Sequence, residues 1–246
     1  KRSRKASHWH FRLLIHACGA APRKELTPYD EAATIDTCVR AVPNEIPVNS
    51  SPPPASYVLI SPCRNEADYM RQTLDSVVAQ SVRPTRWVIV DDGSTDATPQ
   101  ILAEYAARHD WIQIVTRSDR GHRAVGPGVV DAVYTGYAAI NPHDYEFLCK
   151  LDLDLRLPPR YFEILIERMH ADPGIATCSG KAYVEEDGHL IDERHGDETS
   201  LGMTKFYRVS CFEAIGGFVR EVMWDGIDCH QCRMKGWKAC SWNDPE

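Results

Sequence analysis

From residue 56 onward, short apolar runs alternate with stretches whose apolar residues recur every three or four positions. Tyr57-Val58-Leu59-Ile60 and Trp87-Val88-Ile89-Val90 are continuous apolar runs of strand length, the pattern of strands covered on both faces. Trp111 to Val115 and Glu146 to Leu151 read the same way, apart from Lys150. Between these runs, Met70, Leu74, Val77 and Val78 fall at helical spacing, and Asn65 stands where a helix N-cap is expected. A second helix is predicted over 97–108, with Ile101, Leu102 and Tyr105 inward, and a third over 129–140, with Val129, Val130, Val133 and Tyr137 on one side. Strand and helix thus alternate at βαβ spacing, which argues for an α/β fold with a mostly parallel sheet and helices on both faces.

The second half changes character. Pro158-Pro159 precedes a predicted helix over 160–171 with an apolar stripe of Phe162, Leu165, Ile166 and Met169. Ile175 to Ser179 reads as a strand, and Ala182 to Asp192 as a hairpin centred on Asp187-Gly188. A polar loop follows over 194–200, then a strand over 205–209, a short helix ended by Gly216-Gly217, and a helix over 226–235. The organisation expected is an N-terminal arm and Pro-rich linker over 1–55, a first half over 56–155 and a second half over 156–246. A short helix is expected over 29–41, before Pro43, Pro47 and Pro52-Pro53-Pro54 interrupt any regular element.

In an open parallel sheet, ligands sit beyond the carboxyl ends of the strands. Three such ends carry polar residues here: 62–66, 91–96 and 152–154. Side chains alternate along an extended segment, so Asp152 and Asp154 point one way while Leu151, Leu153 and Leu155 point into a core. Paired carboxylates on one face suit a hard divalent cation. Taken alone, the pair reads more readily as a strand running into a polar loop.

Composition narrows the field. The chain has 246 residues, is 43% hydrophobic and carries a net charge of -7, so no polyanion-binding surface is indicated and nucleic acid is not expected as a partner. Nine cysteines lack a disulfide framework, which points to a reducing compartment. Cys229 and Cys232 form the one tight cysteine cluster, without the second pair a zinc site needs. Residues 1–21 have a basic start and an apolar stretch, but Arg12 and His16 break it, so it is not read as a leader. No apolar run reaches the ~18 residues of a membrane span.

Together, Ser61-Pro62-Cys63-Arg64-Asn65-Glu66, Val90-Asp91-Asp92-Gly93-Ser94-Thr95-Asp96, Lys150-Leu151-Asp152-Leu153-Asp154 and the segment from Trp224-Asp225-Gly226 to Arg233 and Gly236-Trp237 resemble a glycosyltransferase of family 2, over about residues 57–242. The resemblance implies a GT-A, Rossmann-like fold, with an acceptor-side hairpin and helix in the second half. It implies inverting transfer of a sugar from a nucleotide-diphosphate sugar to a saccharide or lipid-linked acceptor, with Mg²⁺ or Mn²⁺ as cofactor. By this resemblance Asp154 would bind the metal, and Asp152 the ribose or the metal's waters. Asp92, with Asp91 beside it, would accept hydrogen bonds from the nucleobase, next to Pro62, Arg64 and Glu66. Arg123 is the better match to a basic residue that approaches the nucleotide, and Arg120 the second.

Asp225 falls on the family's general base, with Asp228 one turn on as the alternative. Trp224 departs from the family's Glu and would stack on a sugar ring. Asp225 as a helix N-cap, and Asp91-Asp92-Gly93 as a capping turn, remain the structural alternatives. Lys205, Arg208 and Gly216-Gly217 resemble the acceptor-side segment. The rival functions are a nucleotidyltransferase, disfavoured by a first loop without Gly, and a non-catalytic sugar- or partner-binding module. The location expected is cytoplasmic, or peripheral at the cytoplasmic face of a membrane, with no stable protein partner.

Overall fold

A computed structural model of the chain describes residues 55–122, 125–186 and 189–243, together with the backbone of 13–16. In chain order the elements are β1 (Leu13–His16), β2 (Tyr57–Cys63), α1 (Met70–Val78), β3 (Arg86–Asp91), α2 (Thr98–Arg108), β4 (Ile112–Thr116), α3 (Pro127–Tyr137) and β5 (Phe147–Leu151). They continue with β6 (Leu155–Arg156), α4 (Tyr161–Ala171), β7 (Ile175–Glu186), β8 (His189–Asp192), β9 (Thr204–Arg208), α5 (Val209–Ala214), α6 (Trp224–Met234) and β10 (Lys238–Trp242).

The strands form one sheet of order β4-β3-β2-β5-β9-β7-β1-β6, with β8 and β10 also pairing β7. Strands β4, β3, β2 and β5 run parallel, and β9 joins β5 antiparallel. The chain winds outward from β2 through β3 to β4, then crosses back along α3 to place β5 on the other side of β2. That reversal opens a crevice beyond the carboxyl ends of β2 and β5.

Alternation along each strand sorts side chains between two cores. Tyr57, Leu59, Trp87, Ile89, Phe147 and Cys149 pack with α1, α2 and α4. Val58, Ile60 and Leu148 pack on the opposite face with α3, α5 and α6. Helix α3 comes close because Gly136 has no side chain: a Cβ there would lie 2.7 Å from Ile60 Cγ2. Leu151, Leu153 and Leu155 all enter the first core, as the alternation predicts.

Three differences from the sequence reading stand out. The strand and the first arm of the hairpin predicted over 175–192 are one continuous strand, β7, whose partner β8 closes the hairpin. The N-terminal arm contributes β1, which pairs antiparallel with β7 and parallel with β6. Asn65 caps no helix: α1 starts at Met70, and Asn65 holds a left-handed backbone, φ 54°. The helix expected over 29–41 lies outside the described residues. Among the described residues no helix is long and apolar enough to cross a membrane.

Candidate active site

The first two polar strand ends lock each other. Asn65 Oδ1 accepts the Thr95 N–H at 2.8 Å, and Ser94 Oγ accepts the Asn65 N–H at 3.0 Å. Thr98 Oγ1 and Asp96 Oδ2 accept the N–H groups of Glu66 and Ala67. This use of its carboxamide explains why Asn65 is not a cap. Gly93 is required at the turn, since its φ is +74° and a Cβ would lie 2.5 Å from the Asp119 Cα. Asp91 is the buried stay of that turn, its Oδ1 accepting the Ser94 N–H at 2.9 Å. Its carboxylate therefore serves the loop, whereas Asp92 faces the crevice.

Asp92 is surrounded by guanidinium groups. Arg120 Nη2 donates to Asp92 Oδ2, and Arg64 Nη1 donates to the Asp92 carbonyl. Arg117 Nη1 lies 2.9 Å from Asp92 Oδ1 as an ion pair, out of hydrogen-bond alignment, so this buried oxygen has no donor among the described residues. Arg64 Nη2 also pairs with Asp119 at 2.5 Å. That hydrogen bond, with the Gly121 N–H, holds the Asp119 carboxyl below the usual carboxylate range. Arg123 lies outside the described residues.

The Asp-x-Asp segment is held from both sides. The Asp152 N–H donates to the Met203 carbonyl at 2.8 Å, and the Leu155 N–H to Thr73 Oγ1 at 2.8 Å. Asp154 is exposed, while Asp152 is half-buried and paired at 2.5 Å with Lys150 Nζ. Lys150 shares a sheet face with Leu148 and Asp152, and its ammonium also donates to the Gly202 carbonyl at 2.8 Å.

Helix α6 supplies the opposite wall. Met223, in the left-handed region at φ 64°, turns the chain into Trp224, and no side chain caps the helix. Asp225 is thus in the first turn rather than at the N-cap, where the helix dipole favours a carboxylate. A Cβ on Gly202 would lie 2.4 Å from Asp225 Oδ2, so this carboxylate rests directly on the Gly202 backbone. Trp224 is buried. Its ring meets Phe218 edge-on at 4.6 Å, and Lys150 Nζ lies 5.4 Å from its centroid.

Asp228 lies elsewhere. It is 0% exposed and ion-paired with Lys205 Nζ at 2.7 Å, also 0% exposed; its other oxygen contacts are Tyr207 Oη and its neighbour's N–H. Burial, with Asp228 beside it, pushes the Tyr207 phenol well above its ordinary range. One turn of helix carries Asp228 from the crevice wall into the core. Lys205 follows it inward, and Arg208 donates to the Met169 carbonyl. Neither lines the crevice.

These walls enclose a cavity of about 490 Å³. Pro62, Arg64, Glu66, Asp92, Asp152, Asp154, Trp224 and Asp225 line it; Asp91 and Asp228 do not. The sequence reading missed the loop before β9, which brings His195, Thr199, Ser200 and Gly202 to the wall. Only its position ahead of the strand that pairs with β5 pointed there. Among the described residues no group of three or more His, Cys, Asp or Glu side chains is placed to hold a metal by itself.

Known proteins resemble this chain in sequence and in fold. EpsH of Bacillus subtilis (strain 168), a glycosyltransferase by name, is 26% identical over 174 residues, 71% of this chain and 46% of its own length. The chain thus spans less than half the length of that relative. The mannosyltransferase PcManGT from Pyrobaculum calidifontis, solved with GDP-Man and Mn²⁺, superposes with a TM-score of 0.58 at 21% identity, over 81% of this chain and 59% of its own. TarS of S. aureus superposes with a TM-score of 0.59 at 17% identity, over 77% of this chain and 35% of its own. Both are GT-A folds, the architecture that the family resemblance implies. The family description Glycosyl transferase family 2 matches residues 58–224, well over half of the sequence, and the chain belongs to that family.

Proposed function

We propose that this chain catalyses inverting transfer of a sugar from a nucleoside-diphosphate sugar to an acceptor hydroxyl. The observation that carries the reading is that one cavity at the sheet's switch point brings together Asp92, Asp154 and Asp225, from three separate strand and helix ends. Asp92 Oδ1, ion-paired with Arg117 at 2.9 Å but without an aligned hydrogen-bond donor among the described residues, is an acceptor for a nucleobase N–H, and Pro62 and Arg64 flank the carboxylate. Asp225 takes the proton of the acceptor hydroxyl as its oxygen attacks the anomeric carbon and the bond to the diphosphate breaks. Asp228 is held in the core by Lys205 and does not serve as the base.

The oxygen donors at the mouth fit Mg²⁺ or Mn²⁺. Asp154 would hold the ion, with Asp152 beside it, and diphosphate oxygens and waters would complete a shell that two carboxylates leave open. Bound there, the metal supplies Lewis-acid charge that offsets the anion on the leaving diphosphate. The neighbour solved with GDP-Man and Mn²⁺ supports this reading. Family membership favours sugar transfer over nucleotidyl transfer.

A thermal-shift panel of UDP, GDP and CDP, each with and without Mn²⁺, tests the proposal, because a ligand that binds the native state raises the melting temperature. One nucleotide raises it only with Mn²⁺, and Asp154→Asn abolishes that rise. An Asp154→Asn protein that keeps the full Mn²⁺-dependent shift refutes the metal assignment.

A further inference from the structure

Lys150 touches both halves of the cavity. It is 3% exposed, in an apolar strand where the family resemblance assigns it no task. Its ammonium pairs with Asp152 at 2.5 Å on the donor side and donates to the Gly202 carbonyl at 2.8 Å on the other. It lies 5.4 Å from the centre of the Trp224 ring. Gly202 in turn is the surface on which the Asp225 carboxylate rests. The amides on either side are tied in: Asp152 N–H to the Met203 carbonyl at 2.8 Å, and Thr204 N–H to the Leu201 carbonyl at 3.1 Å. A buried ammonium is stable only with such partners, so this geometry is fixed rather than optional.

We infer that Lys150 is a positioning residue that sets Asp225 relative to the donor, by pinning the Gly202 loop to the Asp-x-Asp segment. The inference rests on the reading of Asp225 as the base. The ammonium offsets the charge of Asp152 and fixes the Gly202 carbonyl, and the fixed Gly202 backbone determines where the Asp225 carboxylate stands. No contact between Lys150 and the sugar is required.

The test uses Lys150→Met, Asp225→Asn and the double variant in the full chain. Turnover is release of UDP or GDP from UDP-GlcNAc, UDP-Glc or GDP-Man with Mn²⁺, water serving as acceptor. Lys150→Met lowers kcat at least tenfold while the donor KM moves less than threefold. The double variant is no slower than Asp225→Asn alone, because the effect passes through Asp225. Amide hydrogen exchange at Asp152 and Thr204 speeds at least tenfold, while amides in β2 and β3 keep their protection.

Unchanged turnover in Lys150→Met overturns the inference. So does a tenfold rise in KM with kcat kept, which would make Lys150 a direct donor contact. Exchange that rises uniformly through β2 and β3 also overturns it, since that marks general loosening. If the wild type releases no nucleotide from any donor, the proposed function fails. The positioning inference is then decided by exchange alone: local acceleration sustains the anchoring of the loop, and unaltered exchange overturns it.

Discussion

Replacing Asp228 by Leu separates a structural aspartate from a catalytic one. The carboxylate holds Lys205 Nζ at 2.7 Å, the Tyr207 hydroxyl and the Cys229 N–H, all in the core. Asp228→Leu leaves the Lys205 ammonium with Ser200 Oγ and Cys229 Sγ, each at 3.3 Å, neutral partners that do not offset a charge. Breaking a buried pair from one side costs about 3–5 kcal/mol. The stranded Tyr207 hydroxyl adds about 1 kcal/mol. Against a total stability of roughly 5–15 kcal/mol, the single variant loses about a quarter of its stability or more. In Lys205→Met/Asp228→Leu no charge remains, and most of that loss is recovered. Urea unfolding followed by tryptophan fluorescence measures all four corners of the cycle. A single variant within about 1 kcal/mol of wild type, or a double variant as unstable as the single, refutes the account of a buried pair.

Two further outcomes are expected. Gly202→Ala puts a Cβ 2.4 Å from Asp225 Oδ2 and must displace the carboxylate. Donor turnover falls at least tenfold, equivalent to about 1.4 kcal/mol of barrier, with nucleotide affinity kept; unchanged turnover rejects the contact. Burial pushes the Cys232 thiol up to about 12 and also raises Cys63, Cys149 and Cys178. In the unfolded chain these thiols ionise near 8.5 while the folded ones keep their protons, so stability is whole below about pH 8.5 and falls above it, by at most about 1.4 kcal/mol per thiol per pH unit. Urea midpoints that agree at about pH 7.5 and pH 10 contradict this.

The strand ends were legible because a doubly covered strand must be apolar throughout, so the first polar residue after each run marks the crevice. Tyr57 to Ile60 and Trp87 to Val90 obeyed that rule, Phe147 to Leu151 did so apart from Lys150, and Asp92, Asp152 and Asp154 came with them. Helical spacing placed α6 within two residues, yet it did not separate Asp225 from Asp228. Both are acids on one short helix, and only tertiary packing shows that Lys205 and Tyr207 wait on one side of it. The Gly202 loop was illegible for a different reason. Its residues 195–203 have no period, and their place in the wall follows from β9 pairing antiparallel with β5, a long-range contact. Lys150 read as a blemish in an apolar strand because its partners, Asp152 apart, are distant in sequence.

Charge pairing around these aspartates bears on how metal and nucleotide meet. Asp92 faces Arg117 and Arg120, and Asp152 faces Lys150, so much of the acidic charge at the crevice is already offset within the chain. A divalent ion approaching Asp154 alone therefore meets less negative charge than two free carboxylates would present, and a shell mostly of water. A diphosphate adds both charge and oxygen ligands, and each ligand strengthens the other by the same factor. Calorimetry should show Mn²⁺ binding at least tenfold tighter with the preferred nucleoside diphosphate present than without it, and the nucleotide gaining equally from Mn²⁺. Lys150→Met, which frees the Asp152 charge, should strengthen Mn²⁺ binding in the absence of nucleotide and so narrow the gap. Equal Mn²⁺ affinity with and without nucleotide would mean that the carboxylates bind the ion unaided, and that the Lys150–Asp152 pair does not hold in solution.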